Sequence, residues 1–377
     1  MLDLSQYDRV FLLTDEQVAA SCLLAFGKWG AQMSPCDIKA PTISALPKNV
    51  TFLGTPITGM LVLPAGEEHK NLASVQRIWD WLIEQKATRH SLLINLGGGV
   101  ICDMGGFAAA TYMRGMAFVN IPTTLLAMVD AAQGGKTGID YGQPLVKNGI
   151  GVFAEPVATI YEPALLATLP PEQVLSGYAE MIKHAALQSP EALAVLLDYD
   201  LREVSSPVFG ELIKQSVAFK QSIVEQDPYD YGQRQMLNFG HTVGHAIEAL
   251  LLEKSKLSTA LPIERTLNTQ HSTLNPCPHG YCVMYGMVAE AYLSHLLCGL
   301  PAETVSTLAR FMLENYGAAP VTCNDFDSLL QLMQHDKKNK EQGTVVCTLL
   351  RDIGKPVIGQ TISPAELREA IEYLCTL

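Results

Sequence analysis

The stretch SLLINLGGGVICDMGG, residues 91–106, decides how the chain is read. Ser91–Leu96 is an apolar run of strand length, Gly97-Gly98-Gly99 interrupts it, and a helical stretch follows. A strand, a glycine turn and a helix start, in that order, aim backbone N–H groups at one point where a dinucleotide pyrophosphate can sit. The G-x-G-x-x-G spacing is not met, because Cys102 stands at the third glycine and no acidic residue about 20 positions on completes the pattern. A tight turn chosen for packing reads the same residues equally well, so both readings stay open on this motif.

Outward from that stretch, Val10–Leu13, Leu61–Leu63 and Phe118–Ile121 are further candidate strands, and Ser74–Glu84 carries apolar residues at helical spacing. The alternation predicts an α/β domain with a largely parallel sheet. From about Pro170 the pattern becomes successive amphipathic helices: Pro171–Leu187, Phe209–Val224, His241–Leu252, Gly280–Leu297 and Ala302–Tyr316. Thr344–Leu350 and Pro356–Gln360 read as a small strand pair, followed by a helix opened by a Ser363–Glu366 capping box. Glu253–Pro278 is polar and patternless and is expected to be a long loop. At 377 residues the chain exceeds the roughly 150 typical of one domain, and the expected division is an α/β domain over 1–165 and a mainly α-helical one over 166–377.

Composition narrows the function classes. With 26 Lys and Arg against 38 Asp and Glu, the net charge is −12, which disfavours nucleic acid and anionic membrane surfaces as partners. A hydrophobic content of 48% excludes disorder for most of the chain. No apolar run reaches the roughly 20 residues of a membrane span, and the start at Met1-Leu2-Asp3 lacks a signal-peptide pattern, so a cytoplasmic protein is expected. The 9 cysteines contain no Cys-x-x-Cys pair, and reduced packing thiols are expected.

Gly134-Gly135-Lys136-Thr137 invites a P-loop reading that fails, because Asp130 stands where the first glycine is required. What remains is a lysine in a glycine-rich turn, with Lys147-Asn148 in another; either solvent-exposed turn lysines or contacts to a phosphate or developing oxyanion fit. His241 and His245, at i and i+4, project from one helix face as zinc ligands do, and His279 opens the next helix. Spacing alone makes both members of the pair ligands, with Glu180 or Glu248 completing a site. Glu180 and Lys183, at i and i+3, read most simply as an exposed ion pair, and Asp336-Lys337-Lys338 as a solvated charge run. Lys220 and Arg234 carry no signal in isolation.

Taken together, GGGVICDMGGFAAATYMRG (97–115), IPTTLLAMVDAAQGGKTGID (121–140), VKNGIGVF (146–153), TLPPEQVLSGYAEMIK (168–183), RQMLNFGHTVGHAIE (234–248), PHGYCVMYGM (278–287) and HDKKNK (335–340) resemble the 3-dehydroquinate synthase family of sugar phosphate cyclases. The resemblance implies an N-terminal α/β NAD-binding domain, a mainly helical C-terminal domain, an active site in the cleft, and a homodimer. It implies NAD and a divalent metal, zinc foremost and cobalt as an alternative, held by Glu180, His241 and His279. It places Asp130, Lys136, Lys183, Lys220, Asn238 and His245 in catalytic roles, so that His245 becomes a substrate-site residue. It assigns Arg114, Lys147, Asn148, Arg234 and Lys337 to a phosphorylated sugar-acid substrate, with Arg114 reaching across a dimer interface. For the cofactor it implies Asp15, Glu67, Lys70, Gly98, Gly99, Asp103, Thr123, Thr124 and Thr168. The implied reaction is transient oxidation by NAD, phosphate elimination, re-reduction, ring opening and aldol closure.

The chain departs from the family pattern at Ala131-Ala132, where two serines are usual, and at Gln17, Cys102, Gln133 and Tyr281. None of these removes an implied ligand or catalytic lysine. The rival readings are a sister cyclase taking another sugar phosphate, a metal-dependent NAD alcohol dehydrogenase, and an inactive metabolite-binding relative. A plain dehydrogenase has no use for four lysines at 136, 147, 183 and 220.

Overall fold

The two halves of the chain bury their apolar residues in different ways. The computed structural model describes residues 3–22, 51–142, 146–204, 206–260, 277–334 and 344–377. They form two units, Met1–Pro170 with Leu201–Gln221, and Pro171–Asp200 with Ser222–Leu377.

The first unit runs β1 (Val10–Asp15), α1 (Glu16–Ser21), the short hairpin β2 (Thr51–Phe52) and β3 (Thr55–Pro56), β4 (Gly59–Leu63), α2 (Leu72–Glu84), β5 (Leu92–Gly97), α3 (Gly99–Thr111), β6 (Ala117–Pro122), β7 (Lys136–Tyr141), β8 (Val146–Phe153) and β9 (Ala158–Thr159). Five strands form one sheet in the order β4-β1-β5-β6-β9, every pairing parallel. Strand β5 is buried at all its positions because helices cover a parallel sheet on its faces, which is why it reads as an unbroken apolar run. Helix α2 is started by the Asn71 side chain, which accepts from Ser74 N–H at 3.1 Å, and it buries Val75, Ile78 and Leu82 against Phe11, Leu13, Leu63 and Leu93.

After β1 the chain moves to β4 on one side, then crosses back to β5 on the other. That reversal between β1 and β5 is the place where α/β sheets open a crevice at the carboxyl ends of their strands.

The second unit contains α4 (Pro171–Gln188), α5 (Pro190–Leu197), the end of α6 (Pro207–Gln226), α7 (His241–Ala260), α8 (His279–Cys298), α9 (Ala302–Asn315), α10 (Phe326–Gln334), the hairpin β10 (Val345–Asp352) and β11 (Lys355–Ile362), and α11 (Pro364–Thr376). Helix α8 packs against α4, α7, α9, α11 and β10, so it is buried around its circumference and has no polar face. The capping box at α11 forms as its sequence predicts: Ser363 Oγ and N–H meet Glu366 Oε2, both at 2.7 Å.

Three expectations need correction. Glu253–Ala260 is helical, because beyond Gly244 α7 meets no Pro or Gly before Pro262 and Lys254 Nζ pairs with Asp325 Oδ1 at 2.7 Å; 261–276 lies outside the described residues. Lys136 and Lys147 do not sit in turns but in β7 and β8, an antiparallel hairpin in which Lys136 faces Phe153. A division at 165/166 leaves Leu201–Gln221 with the helical half, whereas these residues pack with the first unit. Among the described residues no disulfide joins cysteines, and no helix is long and apolar enough to cross a membrane.

Candidate active site

Eight of the nine residues expected at the cofactor follow from the parallel sheet, since they stand at or just beyond the carboxyl ends of β1, β4, β5 and β6. Asp15 ends β1 and its carboxylate accepts from Val18 N–H at 2.9 Å; burial raises its pKa above the ordinary value. Gly98 precedes α3 with no side chain capping the helix, so the first N–H groups of α3 are available to an anion. A Cβ on Gly98 would lie 3.1 Å from Thr124 Cγ2, and one on Gly99 would lie 3.0 Å from Ala131 Cβ, so side chains here would fill the cradle. The hydroxyls of Thr14 and Thr123 are buried at the same end of the sheet without a hydrogen-bond partner, as expected of groups that meet a ligand.

Past β4, Glu67 is exposed while Lys70 is buried with its Nζ 2.5 Å from Asp103 Oδ2. Burial of the Asp103 carboxyl pushes its pKa up to about 6 against the pull of Lys70. Burial works against the Lys70 charge as well, yet Asp103 and Glu67 raise its pKa overall. Thr168 is exposed at the end of a short 3-10 turn, Pro163–Thr168, beyond β9. The donor set and the uncapped turn fit a dinucleotide.

The same unit brings Asp130 and Lys220 together. Asp130 lies in a π-helical turn, Ala127–Ala131, and Lys220 Nζ donates to its Oδ1 and its backbone carbonyl, both at 2.6 Å. Lys136, Lys147 and Asn148 are exposed on the β7–β8 hairpin. Asn148 adopts φ +48° and donates its N–H to Asp140 Oδ1 at 2.7 Å. Arg114 is exposed in a turn after α3 where Met113 and Arg114 both have positive φ.

In the second unit, α4, α7 and α8 bring a carboxylate and three imidazoles to one place. Ring nitrogens of His241, His245 and His279 lie within 4.8 Å of one another. Glu180, fully buried on α4, places Oε1 3.4 Å from His241 Nε2 and 3.7 Å from His279 Nε2, and Lys183 contacts its Oε2. Neither Glu180 oxygen makes a hydrogen bond of good geometry despite these neighbours. His279 Nδ1 lies 3.2 Å from Glu248 Oε2, and His241 Nδ1 lies 3.2 Å from the Phe239 carbonyl. Each ring therefore has an acceptor for a proton on Nδ1 and turns Nε2 toward Glu180, the arrangement of imidazoles that bind a divalent ion.

The charges respond to this crowding. Burial alone would raise the Glu180 pKa, but Lys183 and His241 hold it well below the usual carboxylate range. Burial opposes charge on His279, yet Glu180 and Glu248 raise its pKa to about 10. The exposed ion pair expected of Glu180 and Lys183 is instead buried at 0% and 1%, an expensive arrangement that the imidazoles help to offset. An oxygen and two nitrogens with room for further ligands suit zinc or a similar ion. His245 is exposed and converges with the other two rings.

Arg234 and Asn238 lie in the 3-10 turn Gln233–Asn238 immediately before α7. Arg234 is buried, with Nη1 donating to the Pro228 carbonyl at 2.8 Å, and Asp227 Oδ2 accepts its backbone N–H at 3.1 Å. Lys337 lies outside the described residues. Sequence reasoning missed Ser176, whose Oγ accepts from Gly280 N–H at 3.0 Å beside His279, and Asp227; no spacing in the sequence signals either. Glu248 appeared there only as an alternative ligand, whereas here it stands behind His279.

The family model for the 3-dehydroquinate synthase N-terminal region matches residues 60–176, and that for the C-terminal region matches 177–339. A curated 3-dehydroquinate synthase of Parabacteroides distasonis is 39% identical over 98% of this chain and 92% of its own length. Another, from Thermosynechococcus vestitus, is 37% identical over 91% of each. Among solved structures, a 2-epi-5-epi-valiolone synthase from Streptomyces hygroscopicus with NAD+ and Zn2+ bound superposes with a TM-score of 0.74 at 23% identity, over 98% of this chain and 91% of that one.

Proposed function

This chain belongs to the 3-dehydroquinate synthase family, and on that footing we propose that it converts 3-deoxy-D-arabino-heptulosonate 7-phosphate to 3-dehydroquinate and phosphate with catalytic NAD and a divalent metal, zinc foremost. The observation that carries the reading is the convergence of Glu180, His241 and His279, with both Glu180 oxygens buried and poorly hydrogen-bonded. When bound, NAD takes up and returns a hydride and the metal acidifies the hydroxyl being oxidised.

The chain's own residues supply the rest. Glu180, His241 and His279 hold the metal; Gly98, Gly99 and the start of α3 receive the pyrophosphate, with Asp15, Glu67, Lys70, Asp103, Thr123, Thr124 and Thr168 around the cofactor. Lys136, Lys147, Asn148, Arg234 and Lys337 bind the phosphate and carboxylate of the substrate, since several cations in an acidic protein need an anionic ligand to offset their repulsion. Lys183 contacts Glu180 and Lys220 contacts Asp130, and from these positions the two lysines stabilise negative charge as it develops during elimination. Asn238 and His245 orient the ring hydroxyls.

A homodimer belongs to the same proposal, with Arg114 serving the partner's site. It is supported by β8, an edge strand exposed at every position that carries Val146, Ile150, Val152 and Phe153. A cytoplasmic location belongs to it too, since the phosphorylated substrate and NAD are both held inside cells. The test is phosphate release from the heptulosonate phosphate by protein supplied with Zn2+ and NAD+. Release without net NADH, abolished by a chelator, is the expected result; no release from folded, metal-loaded protein would overturn the substrate assignment and point to another sugar phosphate.

A further inference from the structure

Helix α8 carries one acid, Glu290, to which the reaction assigns no role. Glu290 is fully buried, three turns along α8 from His279. Its Oε2 accepts from Gly240 N–H at 2.6 Å, and its Oε1 from Thr242 N–H at 3.0 Å and Val243 N–H at 3.1 Å. One carboxylate thus satisfies three donors at the start of α7, the turn from which His241 projects. The first N–H groups of a helix carry partial positive charge, so a carboxylate is well matched to them, and such bonds offset the cost of burying it.

The backbone around this contact is drawn tight. Gly240 has φ +80°, and a Cβ there would lie 2.4 Å from Met287 Cγ; a Cβ on Gly286 would lie 2.0 Å from the Gly240 carbonyl oxygen. Helices α7 and α8 therefore touch through glycines, and Glu290 fastens that contact at the ligand end of α7.

We propose that Glu290 is a positioning residue for the metal site: by anchoring Gly240, Thr242 and Val243 it fixes the distance and orientation of His241 relative to His279 and Glu180. The inference rests on His241 and His279 being metal ligands. Replacing the carboxylate by an amide of the same size, Glu290→Gln, turns an NH2 group toward backbone donors and frees the turn without opening a cavity.

The experiment is Co2+ titration of the chelator-stripped full chain, read by the visible absorption of bound Co2+, for wild type, Glu290→Gln and His241→Ala. The expected result is a Kd weakened about 10- to 100-fold in Glu290→Gln, with an altered band shape, in protein whose circular dichroism matches wild type. Unchanged Kd and band shape in that variant, with only its thermal midpoint lowered, would overturn the inference while leaving the metal site intact. Wild-type protein that takes up no Co2+, or His241→Ala that takes it up equally well, would overturn the ligand assignment and this inference with it. Should Glu290→Gln fail to fold, hydrogen exchange of the metal-free wild type decides: amides of Gly240, Thr242 and Val243 exchanging only on global unfolding support the anchor, and exchange at surface-loop rates refutes it.

Discussion

His279 shows how far a single side chain can be carried by its neighbours. Glu180 and Glu248 raise its pKa to about 10, so in metal-free protein it holds a proton throughout the neutral range. A metal must displace that proton, and apparent affinity is therefore expected to rise by up to tenfold per pH unit below about pH 10; calorimetric titrations at pH 6.5, 7.5 and 8.5 that gave one affinity would refute this. For the metal-free fold the sign is the reverse: a raised histidine pKa adds stability that is complete below the ordinary value near 6.5 and is lost as pH rises through about 10. His279→Ala is expected to lose metal and turnover together, checked by metal content after dialysis. The histidine pair was legible from its spacing, but that Glu180 and not Glu248 faces the Nε2 atoms of His241 and His279 was not. Lys183 three residues on makes Glu180 read as half of a surface pair, and only burial against His241 reveals the difference.

Elements that bury both faces declare themselves; those that serve an exposed surface do not. Strands β5 and β6 were readable as apolar runs because covered parallel strands leave no polar face. The hairpin β7–β8 was not, because β8 is exposed throughout and its glycines at 149 and 151 mimic a loop. The capping box of α11 was legible because it is local; the Asp130–Lys220 contact spans 90 residues and has no local signature. Two predictions belong to elements. Gly98→Val fills the cradle beside Thr124 and is expected to weaken NAD+ binding at least tenfold with metal content unchanged, measured by nucleotide fluorescence quenching. In Gly280→Ala the added methyl would lie 1.9 Å from the Ser176 carbonyl oxygen, forcing α4 and α8 apart. A loss of about 1–3 kcal/mol or more is expected in urea unfolding, together with weaker Co2+ uptake; wild-type values of both would contradict the geometry.

For the whole molecule, the net charge of −12 means that anionic substrate must be drawn in by local clusters of cations against an unfavourable overall field. The same acidity keeps copies of the chain apart except where apolar surface compensates, and β8 offers such surface. Val152→Lys on that strand is expected to shift sedimentation equilibrium from dimer toward monomer, and a dimer of undiminished strength would place the contact elsewhere.

The seam where Gly240 and Gly286 meet also bears on which ions the protein can use. Spacing set by side-chain packing can breathe with rotamers, but spacing set by touching backbones cannot widen without parting two helices. On the proposed ligand set the seam limits how far His241 can move from His279, so Zn2+ and Co2+, nearly equal in size, are expected to be accepted alike.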